Sequence, residues 1–119
     1  MDNQLRTILI VDDTKLNRSI LCRILNDDYI TVEAENGQAA LDILEDHPGE
    51  FSAVLLDLVM PVMDGYTFLS ELKGTADFGI PVIVTTGNSA TENERRAFNL
   101  GAWDFVSKPY DPSDTEIPA

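Results

Sequence analysis

The sequence predicts one α/β domain: a doubly wound, five-stranded parallel sheet with helices on both faces. Three observations carry that expectation. Short apolar runs rich in β-branched residues recur along the chain, and runs of that length read as strands buried on both faces of a parallel sheet. Between them lie segments whose apolar residues return at helical spacing. Strand and helix alternate throughout, which implies right-handed crossovers between parallel strands. A length of 119 residues suits one domain, and 44% apolar residues are enough for a proper core.

Residues 7–11, Thr-Ile-Leu-Ile-Val, form the first strand, which ends in Asp12-Asp13. From Thr14 to about Asp27, Leu16, Ile20, Leu21, Ile24 and Leu25 recur as one face of a helix, with Lys15, Arg18 and Arg23 between them. A second strand, Tyr29 to Ala34, closes in Glu35-Asn36-Gly37, a turn signal. The next helix, about Gln38 to Asp46, presents Ala40, Leu41 and Leu44, and His47-Pro48-Gly49 stops it. The third strand, Ala53 to Leu56, delivers Asp57 at its end. Pro61 cannot donate to a sheet ladder, so the strand stops before it. Asp64 suits the cap of the following helix, which carries Phe68, Leu69 and Leu72, and Gly65 eases the turn.

Pro81 opens a fourth strand, Val82 to Thr86, running into Gly87-Asn88. Ser89 with Glu92 is a capping box for a helix reaching about Leu100, with Gly101 placed as its C-terminal cap. Trp103 to Val106 reads as the fifth strand, followed by Ser107-Lys108-Pro109. The domain built from these elements spans residues 1–109. Residues 110–119 are a tail or the start of a linker, because Pro112 and Pro118 leave no convincing amphipathic helix there.

A net charge of −13 and a pI near 4.1 argue against direct binding of nucleic acid or of an anionic membrane. Cys22 is the only cysteine, so no internal disulfide forms, and its place in a helical pattern suits a small buried hydrophobe better than a reactive thiol. No apolar run approaches the ~20 residues needed to span a bilayer, and no signal peptide opens the chain. A cytoplasmic protein is expected.

In an open parallel α/β sheet the ligand crevice lies beyond the carboxyl ends of the strands. Asp12 and Asp13 follow the first strand, Asp57 ends the third, Thr86 ends the fourth, and Lys108 follows the fifth. Each of these has an ordinary structural use alone, as a helix cap, a strand end or a loop. Their joint occurrence at successive strand ends is specific. Three converging carboxylates are tolerable with a cation, and all-oxygen ligation suits Mg2+. Lys108 and the Thr86 hydroxyl add a charge and a donor for an anion, and Gly87 lets a backbone N–H approach it. This describes a phosphoryl-transfer site with Asp57 as the nucleophile.

Val11-Asp12-Asp13, Leu56-Asp57 with Met60-Pro61 and Asp64-Gly65, Thr86-Gly87 and Lys108-Pro109 together resemble the receiver domain of two-component response regulators, in the CheY-like superfamily. The resemblance covers nearly the whole chain. It implies a flavodoxin-like sheet of order 2-1-3-4-5 and a phosphoryl group passed to Asp57 from a histidine kinase or a histidine phosphotransfer protein. It further implies Mg2+, for which Mn2+ can substitute, bound by Asp13, Asp57 and the Val59 carbonyl, with Asp12 acting through water. Lys108, Thr86 and the backbone of Leu58, Val59 and Gly87 would contact the phosphoryl oxygens. Thr86 and Phe105 would form the switch that remodels the surface around helix four and strand five, toward an output domain or an effector protein. Thr85 competes with Thr86 for the hydroxyl role; the count from Pro81 and the adjacent Gly87 favour Thr86.

The chain departs from that pattern in its fifth helix, which is missing, truncated or atypical, and in carrying no output domain. It is expected to be either a stand-alone receiver or, preferably, a module excised from a longer regulator. Leaving ~300–400 Å2 of apolar sheet bare would forgo roughly 7–10 kcal/mol, so a homodimer through the strand-five and C-terminal face is expected. Two other functions compete. A phosphatase of the haloacid dehalogenase type also uses an aspartyl phosphate but wants a second Asp two residues on, where this chain has Val59. A receiver-like interaction module that takes no phosphate would not need the full set of acidic, hydroxyl and lysine residues.

Overall fold

Successive side chains of a strand point to opposite faces of its sheet, and in this protein both faces are apolar. The computed structural model describes residues 6–58, 60, 62–74, 79–86 and 91–107, with 86, 91–94 and 107 described by their backbone alone. The elements are β1 (Arg6–Val11), α1 (Lys15–Leu25), β2 (Tyr29–Ala34), α2 (Gly37–Asp46), β3 (Ala53–Asp57), α3 (Gly65–Leu72), β4 (Val82–Thr86), α4 (Thr91–Asn99) and β5 (Asp104–Ser107). They build a five-stranded sheet of order β2-β1-β3-β4-β5 in which every neighbouring pair is parallel. That is the architecture and the strand order expected.

The alternation divides the core in two. Leu9, Val11, Val54, Leu56, Val82 and Val84 face one side, where α2, α3 and α4 bring Ala40, Leu44, Phe68, Leu69, Leu72 and Ala97. Ile8, Ile10, Ala53, Leu55 and Ile83 face the other side, where α1 brings Leu21 and Leu25. All five residues of β3 are buried, as a central strand covered on both faces must be. Among the described residues there are four helices, and α1 alone covers the second face. Residues 110–119, where a fifth helix was not expected, lie outside the described residues, as do Pro61 and Ser89.

Register places the functional edge. Val11 pairs with Leu56, so the next residue of each strand, Asp12 and Asp57, emerges at the same level. Asp57 pairs with Thr85 on its other side.

Several local readings are corrected. Glu35-Asn36-Gly37 is not a free turn: Asn36 caps α2, accepting from the Ala39 N–H at 2.8 Å, and Gly37 is already the buried first residue of the helix. Asp64 caps α3 as expected, accepting from the Thr67 N–H at 2.9 Å. Gly65, however, is needed for space rather than for a turn. A Cβ there would stand 2.7 Å from the Asp57 carbonyl oxygen and 2.7 Å from the Leu58 Cα. Leu16 is 67% exposed and outside the core, whereas Leu21 and Leu25 of the same helix are buried. The helix ends at Leu25 rather than near Asp27, and β5 starts one residue later than expected.

Two backbone positions carry opposite lessons. Gly101 (φ +114°) ends α4 in a Schellman arrangement: its N–H donates to the Phe98 carbonyl at 3.0 Å, and the Ala102 N–H donates to the Ala97 carbonyl at 3.0 Å. Val62, between β3 and α3, holds φ +68°, the left-handed region that a β-branched residue occupies only under strain. Its side chain is 83% exposed, so little packing offsets that strain. In urea unfolding at unchanged slope, Gly101→Ala should lose about 1 kcal/mol or somewhat more, having a Cβ where φ is positive. Val62→Gly should gain up to about 1 kcal/mol, the left-handed penalty relieved exceeding the entropy glycine adds to the unfolded chain.

Candidate functional site

The carboxyl edge of the sheet gathers Asp12, Asp13 and Asp57, each offering an oxygen within 4.8 Å of the others'. Asp12 is 1% exposed and Asp57 7%, whereas Asp13 opens to solvent. Buried carboxylates this close repel by roughly 3 kcal/mol even at an effective dielectric of ~20. The local chain restrains Asp12 in this position. Its Oδ1 accepts from the Thr14 N–H at 2.9 Å, its Oδ2 accepts from Asn17 Nδ2 at 3.3 Å, and its carbonyl accepts from Arg18 Nη1 at 2.6 Å. Arg18 also donates from Nε to Glu33 Oε1 at 3.0 Å, and only 13% of its side chain is exposed. A guanidinium thus sits against the main chain of the acid pair and is itself tied to β2.

A hard, all-oxygen donor set converging from two strands is what Mg2+, Mn2+ and Ca2+ accept, and carboxylates so close supply the negative charge a divalent cation neutralises. The residues therefore fit the metal that the sequence implied. Leu58 is buried, and its carbonyl accepts from the Gly65 N–H at 2.9 Å. Thr86 closes β4, paired with Ser107 of β5. Thr85 is spent elsewhere, since its buried hydroxyl donates to the Leu56 carbonyl at 3.4 Å. Phe105 lies on β5, half-buried, with its ring edge-on to Phe98 at 4.8 Å and 78°. Val59, Gly87 and Lys108 lie outside the described residues, as does the side chain of Thr86.

Sequence reasoning missed Asn17, Arg18 and Phe98. The signal for the first two was present: polar residues early in α1 lie one to two turns from the acid pair, close enough to fold back on the strand end. Phe98 gave none beyond being an aromatic near a helix terminus. Cys22 is half-buried against the α1 face of the core. Burial pushes its thiol up from the ordinary value, opposed by a hydrogen bond with Thr31, which agrees with a packing role.

Residues 8–116 match the family model described as response regulator receiver domain. The chain is 33% identical over 106 residues to a chemotaxis protein CheY of Halobacterium salinarum, covering 88% of this chain and 86% of that one. It is 43% identical over 104 residues to a probable cyclic di-GMP phosphodiesterase of Vibrio cholerae, covering 87% of this chain and 23% of that one. Among solved structures, a chain of the CheX–CheY–BeF3–Mg complex from Borrelia burgdorferi superposes with a TM-score of 0.85 at 28% identity, covering 91% of this chain and 81% of that one. The chain spans less than half the length of several curated relatives it matches. No helix among the described residues is long and apolar enough to cross a membrane. With the family matched along most of its length, on the sheet order and acidic strand ends described above, the chain belongs to the response regulator receiver domains, the phosphoacceptor signalling modules of two-component systems.

Proposed function

We propose that Asp57 is the phosphoacceptor. The observation that carries this is the burial of Asp57 at the end of the central strand with Asp12 and Asp13 within 4.8 Å. Asp13, Asp57 and the Val59 carbonyl would hold Mg2+, with Asp12 acting through water. When bound, the cation supplies charge neutralisation at the phosphoryl oxygens. An Asp57 carboxylate oxygen attacks the phosphorus of a phosphohistidine on a kinase or phosphotransfer protein. The O–P bond forms as the N–P bond breaks, and the imidazole leaves. Lys108, the Thr86 hydroxyl and the backbone at Leu58, Val59 and Gly87 hold the transferred group's oxygens. Water later cleaves the aspartyl phosphate, so the chain assists its own phosphorylation and dephosphorylation without turning over a separate substrate. Thr86 and Phe105 relay the change to the surface of α4 and β5, which addresses an output domain or effector. Within a cytoplasmic regulator, residues 1–109 are the receiver and 110–119 a tail or linker.

Thr85's engagement with Leu56 supports Thr86 as the hydroxyl that turns to the phosphoryl group. The ring contact between Phe98 and Phe105 supports a path from β5 to α4, since moving one ring disturbs the other. A homodimer through the β5 face is the further reading. Phe98 is 51% and Trp103 58% exposed, and both lie beside the strand that ends the sheet order.

Incubation with acetyl phosphate and Mg2+, followed by intact mass, should show one phosphoryl adduct on the wild-type chain and none in chelator or in Asp57→Asn. An adduct that persists in Asp57→Asn assigns the chemistry to another residue. Lys108→Ala should retain Mg2+ binding while uncoupling phosphorylation from the change around Phe105. Sedimentation across micromolar concentrations should show reversible dimerisation that Trp103→Ser weakens. A strictly monomeric wild-type chain removes the dimer reading.

A further inference from the structure

Among the described residues, two backbone hydrogen bonds pin the connection between β3 and α3, both donated by glycine. At its base the Gly65 N–H donates to the Leu58 carbonyl at 2.9 Å. Near its far end the Met63 carbonyl accepts from the Gly37 N–H at 3.2 Å, across from the first turn of α2. Between the two bonds lie residue 59, whose carbonyl the proposed site uses, and Val62 with φ +68°.

Gly37 is not there for its conformational freedom. It opens a right-handed helix, and the positive-φ glycines among the described residues are Gly49 and Gly101. It is there for space. A Cβ at Gly37 would stand 2.8 Å from the Met63 carbonyl oxygen, 2.9 Å from Met63 Cγ and 3.1 Å from Met63 Sδ. The nearest of these is backbone and the next is the root of a side chain, so neither yields by a simple rotation. Nor can α2 easily retreat, because Asn36 Oδ1 holds the Ala39 N–H at 2.8 Å and Ala40 and Leu44 are buried in the core. A methyl group at residue 37 must therefore push the Met63 segment outward and weaken its hydrogen bond.

We propose that Gly37 is a positioning residue for the divalent-cation site: its N–H and its missing side chain set where the β3–α3 connection lies against Asp57. This rests on the reading that Asp13, Asp57 and the residue 59 carbonyl hold Mg2+. Gly37 touches neither cation nor phosphoryl group and acts through the loop. A shift of a few tenths of an ångström matters to Mg2+, which demands near-ideal octahedral geometry at ~2.0–2.1 Å. It matters less to Ca2+, which accepts irregular coordination at ~2.3–2.6 Å.

Calorimetric titration of the purified chain with Mg2+ alone and Ca2+ alone separates positioning from simple destabilisation. Gly37→Ala should weaken Mg2+ binding about tenfold, in the range typical of residues that orient a metal ligand, and Ca2+ by a clearly smaller factor. The preference for Mg2+ over Ca2+ therefore falls. Gly49→Ala is the control. Gly49 has φ +76° and nothing within 4 Å of a Cβ, so this variant loses stability while both affinities stay unchanged. Equal losses for the two cations, or unchanged binding in Gly37→Ala, overturn the proposal. Wild-type protein that binds neither cation overturns the metal reading beneath it, a result distinct from either. Should Gly37→Ala fail to fold, amide exchange on the wild type decides. Saturating Mg2+ slows exchange at the Gly37 N–H if loop and cation are coupled, and an unchanged rate overturns the proposal.

Discussion

Like charges held together in a poorly solvated place set the terms for everything near the carboxyl edge of this sheet. Asp12 and Asp57 are almost wholly removed from water, and their carboxylates share a 4.8 Å neighbourhood with Asp13. Free side chains would move apart. Here they cannot, because β1 and β3 are hydrogen-bonded neighbours whose register puts both residues one step beyond Val11 and Leu56. The energy that keeps the acids together comes from the strands behind them, where Ile8, Leu9, Ile10 and the whole of β3 are buried. The ladder and the two apolar faces thus hold a charge arrangement that the side chains alone would not keep.

The surroundings show how that arrangement is tolerated. Arg18 sets a cation against the Asp12 carbonyl and is held by Glu33 of β2, so its charge is fixed near the acids without bridging their oxygens in that contact. Thr14 and Asn17 donate to the Asp12 carboxyl group, and directed donors lower the cost of burying a polar group. These contacts come from the start of α1. That explains why the first turn of this helix carries Asn17 and Arg18 toward the site.

What could be read in the sequence, and what could not, follows from the range of the interactions involved. The strands were legible because Ile8 to Val11, Val54 to Leu56 and Val82 to Val84 have no polar residue to interrupt them, a pattern that only a doubly covered parallel strand tolerates. The acidic strand ends followed from those boundaries, and Asp64 as a cap followed from the residue type. Gly37 and Gly65 were misread because a glycine in a turn and a glycine at a close approach look identical in one dimension. Only the fold shows that Met63 and Leu58 lie against them. Arg18 was seen as a polar residue on a helix face. Its partners, Asp12 and Glu33, are six and fifteen positions away, and the second depends on a strand pairing that composition does not reveal.

The strain at Val62 completes this picture. Over most of the chain, local preference and packing agree, from the Asn36 and Asp64 caps to the Schellman end at Gly101. Between β3 and α3 they disagree: a β-branched residue takes a left-handed backbone between two hydrogen bonds made by glycines. A strained conformation persists only where its surroundings over-determine it, and here the two pinned points do so. Both the repulsion among the acids and the strain in this loop fall at the same edge of the sheet, while the strands behind that edge carry the apolar burial. Among the described residues, charge repulsion and backbone strain therefore meet at the edge where the proposed cation and phosphoryl group would bind.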